Sequence, residues 1–551
     1  MRHKGGSRLA VAILVSIFIT VINVLGAKTA AVLQTVLTVI IGGVGILLIA
    51  SSVVTGDVAN LQPQLFAGDS VSTILKSIFS VAVVTPFFFI GFDVIPQAAE
   101  EINVPLKKIG KILILSIVLA VIFYALIIFG VGYVMNPSDI ETSLAGSGLV
   151  TADAMTKAFN SSIMSKVLIV GVIAVLMSGF MVAMYIIPGS GKVKKVGELT
   201  KPYGKKALIV TEQSSAKKSG IYDKVKNGLE AAGLTTVLYD KVSQNPLTTT
   251  AEDGAAFAKE NHCDVVVAIG GGSIMDCAKA IAFLSKNKGD ISDYIYNRLR
   301  SDEALPLVLI PTTCGTGSEG NGFAVLTNPE NGDKKSLRCN AIVAKVSIVD
   351  PECMMTMPKK VLASVAFDAL CHNIEAYTSR IAQPFTDALS LYAIDLIANN
   401  LVDVYNGTAG KDGWEKITLA STIGGMVINT AGVTLAHGME HPASGLKNIV
   451  HGQGLAALTP VIIEVSYKEN REKFSKIARI MGGMTAEDCA TKIRTLLRKL
   501  DLDCTLSDLG IKEEDIPWMA ENCMKVSAAG VMNNPVVFSK EEIAEIYRKA
   551  L

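Results

Sequence analysis

The sequence predicts a multi-domain chain: an all-α membrane segment of about five helices, then a parallel α/β domain, then an all-α domain. Three observations carry this. Long apolar runs fill the residues up to Pro188. Strands that feed glycine turns and helices alternate from about residue 207. After Asp350-Pro351 the pattern becomes helical and gathers four of the six histidines. The boundaries read from these shifts are 1–188, 189–357 and 358–551. A length of 551 residues suits two or three domains.

Charge and cysteine content narrow the class. The formal net charge is +1, so no basic excess points to nucleic acid. All nine cysteines lie beyond residue 260, scattered and without a CxxC pair, as expected of reduced cytosolic thiols. No cleavable signal peptide is read at the start, because the first apolar run lacks a small-residue cleavage site and a second run follows at once.

The apolar runs are 9–26, 29–52, 74–98, 112–135 and 166–187. Each approaches the roughly 20 residues that a helix needs to cross a hydrocarbon core. The loop after the third run carries Lys107, Lys108 and Lys111, and the fifth is followed by Lys192, Lys194 and Lys195. The loop 55–73 has Asp57 and Asp69 but no Lys or Arg. Positive-inside reasoning therefore puts the segment after the fifth span in the cytoplasm. An odd number of spans then starts Met1 outside, against the basic Arg2, Lys4 and Arg8, the mark of a chain missing earlier spans.

The third run holds Pro86, Gly91 and Asp93, which suggests a broken helix lining a site. Its continuation FIGFDVIPQAAEEINVPLKKIG resembles the sixth span and following loop of permeases of the amino acid–polyamine–organocation superfamily. By that resemblance the five spans are the fourth to eighth of about twelve. The first broken helix, with half of that family's substrate site, is absent, so transport by this chain alone is not expected.

The soluble part opens on a glycine turn and a Lys-rich amphipathic stretch, then a buried strand at 207–211, a second at 235–240 and a third at 264–269. The third runs into Gly270-Gly271-Gly272-Ser273, with Asp276 and Lys279 on the next helix. A strand at 307–310 likewise runs into Pro311-Thr312-Thr313-Cys314-Gly315-Thr316-Gly317-Ser318-Glu319. A single glycine turn is more often a tight connection than a site. Two such loops at the carboxyl ends of neighbouring strands can enclose a pyrophosphate and ribose, with free amides and a helix dipole facing the anion.

The helical part carries the metal-type residues. Asp368 and His372 stand four apart and share a helix face. His437 and His441 are again four apart, with His451 fourteen beyond His437. Any one of these histidines alone would read as a cap or core residue. One carboxylate and three imidazoles drawn from this set suit a divalent first-row metal such as iron or zinc, with room for a substrate oxygen. His3 and His262 are surface or packing residues on this reading, and Glu375 is solvated or supports a ligand.

The stretch 189–551 resembles the iron-containing (group III) alcohol dehydrogenases through GGGS…D..K, PTT.GTGSE, D…H..E.Y and the spaced histidines, and looks closest to their butanol dehydrogenase branch. The resemblance implies a Rossmann-like nucleotide-binding domain, a helical metal-binding domain, Fe2+ or Zn2+, and NAD(H) or NADP(H). It assigns Asp368, His372, His437 and His451 to the metal and places His441 near the nicotinamide as a candidate proton relay. Gly271, Gly272, Ser273, Asp276, Thr312, Thr313 and Ser318 would meet the pyrophosphate and its surroundings. It also implies a small alcohol or aldehyde as substrate, with hydride passing between the substrate carbon and the nicotinamide.

Two positions depart from the family. Where NADPH-using members often have glycine after the first strand, this chain has Glu212, whose carboxylate suits a ribose 2′-hydroxyl and repels a 2′-phosphate; NAD is expected over NADP. The family's opening short strand also falls on Met184-Tyr185-Ile186-Ile187, continuous with the fifth apolar run. These residues form either that strand or the end of a membrane helix. The sequence leaves three functional readings: a multi-pass membrane protein with its dehydrogenase part on the cytoplasmic side and residues 1–188 in lipid; an amino acid permease with a soluble appendage; or an accidental fusion whose dehydrogenase half alone acts. Homo-oligomerisation is left open.

Overall fold

The computed structural model describes residues 27–61, 106–146, 149–167 and 185–551. The chain divides into two compact units, Met1–Ala183 and Met184–Leu551.

In the first unit the described helices are α1 (Ala27–Thr55), α2 (Leu106–Val134), α3 (Pro137–Ala145) and α4 (Val150–Phe159). α3 starts from a reciprocal cap, in which the Asn136 side chain accepts from the Asp139 amide and the Asp139 side chain from the Asn136 amide. Val44, Leu48, Val134, Ala154 and Met155 form a small core between these helices. Outside that core, Ile46, Val53, Val54, Ile128 and Phe129 are exposed. The runs 29–52 and 112–135 thus fall on α1 and α2, whereas 9–26, 74–98 and most of 166–187 lie outside the described residues. Among the described residues no single helix is long and apolar enough to cross a membrane. Val118–Val134 passes only together with Pro137–Ala145, across a bend of 101°.

The second unit opens with a six-stranded parallel sheet. Its strands are β1 (Tyr185–Pro188), β2 (Lys206–Val210), β3 (Thr235–Tyr239), β4 (Val265–Gly270), β5 (Leu307–Pro311) and β8 (Val346–Val349). Their order is β1-β8-β5-β4-β2-β3. The residues with two roles open in the sequence therefore form a strand, which pairs Tyr185 with Val346 and Pro188 with Val349. A separate antiparallel hairpin joins β6 (Phe323–Thr327) to β7 (Lys334–Arg338).

The sheet is covered on both faces, which is why β4 and β5 are wholly buried and read as unbroken apolar runs. Alternate residues separate the two faces. Leu208, Val266, Ala268, Leu307 and Leu309 pack with α6 (Thr248–Glu260) and α7 (Gly272–Lys286). Ile209, Val267, Ile269, Val308 and Ile310 pack with α5 (Ile221–Ala231). Helices alone follow: α8 (Lys359–Thr378), α9 (Pro384–Asn406), α10 (Lys411–Ala431), α11 (Leu435–Lys447), α12 (His451–Ser466) and shorter ones to the end. They enclose the largest core, around Phe367, Leu370, Ile394, Ile417, Leu455 and Leu497.

Candidate active site

The two glycine-rich loops meet at the carboxyl ends of the neighbouring strands β4 and β5, with Gly270 opposite Pro311. α7 begins at Gly272, one residue beyond an extended Gly271. A side chain at either position would strike the other loop: a Cβ on Gly271 would lie 2.9 Å from Thr313 Oγ1, and one on Gly272 2.2 Å from Thr316 Cγ2. These glycines are needed first for loop-on-loop packing. Gly271, Ser273, Thr312 and Thr313 remain partly exposed at the strand ends, where an anion would find the amino end of α7.

Asp276 and Ser318 face each other rather than open space. Ser318 Oγ donates to Asp276 Oδ1 at 2.6 Å, and the Val325 amide donates to Asp276 Oδ2 at 2.9 Å. Behind them Lys279, fully buried, donates to Ser318 O at 2.6 Å, Ser318 Oγ at 2.7 Å and Phe323 O at 2.7 Å. Burial pulls the Lys279 ammonium down to about 8 and pushes the Asp276 carboxyl up, against the pull of Lys279. The D..K spacing on α7 thus builds a clamp that fixes the second loop; sequence reading placed Asp276 toward the phosphates and gave Lys279 no role. Glu212 lies two residues past β2, where its Oε1 accepts from Ser215 Oγ at 2.7 Å and the Ala216 amide at 2.8 Å.

The metal-type residues come from three helices. α8 supplies Asp368, His372 and Glu375; α11 supplies His437, Glu440 and His441; His451 is the first residue of α12. The bend between α11 and α12 passes through Asn448 in the left-handed region, φ 52°, and turns His451 back toward α8. Around one oxygen, Asp368 Oδ1, stand the Nε2 atoms of His437 at 3.2 Å, His372 at 3.6 Å and His451 at 3.7 Å. Asp368, His437 and His451 offer donor atoms that lie within 4.8 Å of one another. The His372 ring stacks on His437, centroids 4.5 Å apart. His441 stands beside them, its centroid 6.1 Å from His437 and 5.8 Å from His451.

Two carboxylates aim these rings. Glu375 Oε1 lies 2.5 Å from His437 Nδ1, and its Oε2 accepts from the Thr434 amide at 2.6 Å. Glu440 Oε2 contacts His451 Nδ1. With Nδ1 held by a carboxylate, each ring turns Nε2 and its lone pair inward, the usual support for a metal-binding imidazole. His372 Nδ1 is buried and has no such partner among the described residues. The sequence left Glu375 as solvated or supporting a ligand; it carried no signal for Glu440, because Glu440 and His451 lie on different helices and meet only through the bend at Asn448.

Electrostatics agree with a cation-binding pocket. Burial alone would raise the Asp368 carboxyl, but the imidazoles of His372, His451 and His437 outweigh it and hold it well below the usual carboxylate range. Burial disfavours charge on His437 too, yet Glu375 and Asp368 raise it to about 10. Burial keeps His372 at about 4 and His441 well below the ordinary imidazole value. One buried carboxylate oxygen with three inward imidazole nitrogens is a donor set that fits a divalent first-row ion. A cavity of about 230 Å³ opens beside His441, walled by β7 and the helical domain.

Comparison with known proteins agrees with this architecture. The family model for iron-containing alcohol dehydrogenase matches residues 184–351, and that for the carboxyl-terminal part of the Fe-containing alcohol dehydrogenase family matches 362–551. An amino acid permease model matches residues 4–190. The chain is 36% identical over 381 residues to the 1,3-propanediol dehydrogenase of Klebsiella pneumoniae, an alignment covering 66% of this chain and 98% of that one. It superposes on the crystal structure of an archaeal halo-thermophilic Red Sea brine pool alcohol dehydrogenase with a TM-score of 0.65 and 36% identity, covering 67% of this chain and 97% of that one. For the NADH-dependent butanol dehydrogenase A of Thermotoga maritima the TM-score is 0.63 at 28% identity, covering 67% and 96%.

Proposed function

Since the chain belongs to the iron-containing alcohol dehydrogenase family, we propose that it interconverts a small primary alcohol and its aldehyde with NAD(H) as hydride carrier. The supporting observation is the convergence of three imidazole Nε2 atoms within 3.7 Å of one Asp368 oxygen. On this reading Asp368, His372, His437 and His451 would hold a divalent ion, iron or zinc, beside His441. When bound, the ion supplies Lewis acidity toward the substrate oxygen and the nicotinamide gives or takes the hydride.

The protein's own residues orient and protect this chemistry. Glu375 and Glu440 fix the His437 and His451 rings, and burial of Asp368 and His437 keeps water from the donor set. His441, kept uncharged by burial and by the neighbouring Lys334, can accept the alcohol proton at one ring nitrogen and release one from the other toward the cavity mouth. Residues 271–273 and 312–313 would receive the pyrophosphate, with Asp276 and Ser318 fixing the loop shape. Glu212 would accept from the adenosine ribose through the oxygen not engaged by Ser215, favouring NAD over NADP. On this reading the nucleotide role falls to the part from Met184 to 357, β1 included, and the metal role to 358–551.

We place the first unit, Met1–Ala183, against lipid, with the dehydrogenase part on the cytoplasmic side; the boundary expected at 188 moves back because Tyr185–Pro188 form β1 of the sheet. The permease match and the exposed apolar side chains of α1 and α2 support this reading.

The deciding experiment uses the full chain in detergent, loaded with Fe2+ or Zn2+. Butanal-dependent NADH oxidation is expected in the parent protein. His437→Ala should lose both bound metal and turnover while still binding NADH. Turnover persisting in metal-free His437→Ala would overturn the metal-dependent reading.

A further inference from the structure

The four metal-type side chains are not held equally. Asp368 and His372 stand inside α8 and His437 inside α11, each with a side chain no more than 6% exposed. His451 is the first residue of α12, and its side chain is 24% exposed. Its place depends on two supports: the bend at Asn448 before it, and the Glu440 carboxylate at its Nδ1.

Both supports are gripped from the nucleotide-binding part. Asn245, in the loop between β3 and α6, donates from Nδ2 to Asn448 Oδ1 at 2.8 Å and to Ile449 O at 3.3 Å. Its Oδ1 accepts from Lys334 Nζ at 3.0 Å, and Lys334, on β7, stands 3.6 Å from Glu440 Oε2. The Lys334 side chain is 6% exposed and that of Glu440 wholly enclosed. A carboxylate so placed needs a fixed counter-charge beside it. Loop and hairpin are stitched together, because the Thr327 amide donates to Pro246 O at 2.9 Å. Asn245 and Asn448 both hold left-handed backbone, φ 47° and 52°, which asparagine tolerates better than most residues. One amide side chain thus serves the bend with its nitrogen and the lysine with its oxygen. We infer that Asn245 and Lys334 are positioning residues, a clasp that reaches from the nucleotide-binding part and holds His451 in register with the other three donors. Without it the His451 ring leaves Asp368 while His372 and His437, fixed by their own helices, stay in place. The consequence for metal binding rests on the metal site proposed above.

The test uses the full chain in detergent. Asn245→Gly keeps the left-handed backbone and removes both arms of the clasp, whereas Lys334→Met removes one. In metal-free protein, labelling with diethyl pyrocarbonate, read by peptide mass spectrometry, reports each ring separately. His451 labelling, taken relative to the exposed His262, should rise about fivefold in either variant, the opening expected for one lost hydrogen bond. His372 and His437 should label as in the parent. Unchanged His451 labelling overturns the clasp, and so does a parallel rise at His372 and His437, which marks general loosening. If Lys334→Met does not fold, Asn245→Gly decides alone. Zn2+ affinity, measured by chelator competition, should fall about tenfold in Asn245→Gly, and a parent-like affinity also overturns the inference. A parent chain that takes up no Zn2+ defeats the metal reading instead, and the labelling pattern then decides the clasp by itself.

Discussion

The Nδ1 of His437 lies 2.5 Å from Oε1 of Glu375, and this contact turns the opposite ring nitrogen toward Asp368. Replacing Glu375 by Gln keeps the shape and removes the charge. Metal affinity is expected to fall about 10–100-fold, the range for supporting residues of metal-bound histidines. Metal retained after dialysis against graded chelator reads this directly. Wild-type retention would remove Glu375 from the orienting role.

Glu212 has two duties that one substitution separates. Glu212→Gly removes the acceptor for Ser215 Oγ and the Ala216 amide, a loss of about 1 kcal/mol by analogy with other lost caps. It also removes the charge proposed to exclude a 2′-phosphate. The ratio of NADH-linked to NADPH-linked activity should fall. An unchanged ratio would leave Glu212 with only its capping function.

Gly425 sets the spacing between α10 and the second glycine loop. A Cβ there would stand 1.8 Å from the Gly317 carbonyl, backbone that cannot yield cheaply, and Gly317 itself needs its positive φ of 56°. Gly425→Ala should destabilise the fold by at least about 1–3 kcal/mol and weaken NADH binding, since the displaced loop carries Thr312 and Thr313. Gly410→Ala, with nothing within 4 Å of the added carbon, should stay within about 0.5 kcal/mol of the parent. Denaturant titration and NADH fluorescence together measure both.

Alkali should unfold the second unit earlier than neutral pH. Burial pushes the thiols of Cys277, Cys314, Cys353, Cys489 and Cys523 up to about 12. In the unfolded chain a thiol releases its proton near 8.5. Each buried thiol's contribution is therefore complete below that value and is lost as pH climbs toward 12, by about 1.4 kcal/mol per pH unit. Lys279 acts the other way, because its folded value of about 8 lies below its ordinary 10.5 and stability is regained across that interval. Five groups oppose one. Melting temperature in reducing buffer should drop steeply above about pH 9; a flat profile from pH 9 to 10.5 would contradict this.

The parts legible in the sequence were those with a repeating physical signature. The strands expected at 207–211, 235–240, 264–269 and 307–310 appear within a residue or so as β2, β3, β4 and β5. A buried parallel strand must be apolar on both faces, and glycine must follow where two loops touch. Asp368 and His372 were legible because four residues make one helical turn. β1 was ambiguous, since Tyr185–Pro188 continues an apolar run that hydropathy cannot divide. The Glu440 contact to His451 was invisible because it depends on the bend at Asn448, a tertiary event without a period.

Strand β8 is flanked by β5 on one side and β1 on the other. A truncation starting at Gly189 would strip β1 away and bare the amides and carbonyls of Val346–Val349, a sticky sheet margin that invites fibrous or amorphous association. A truncation starting ahead of Met184 would keep that margin sealed. Four residues that look like the tail of a greasy helix thus decide whether the catalytic half can be handled without its companion.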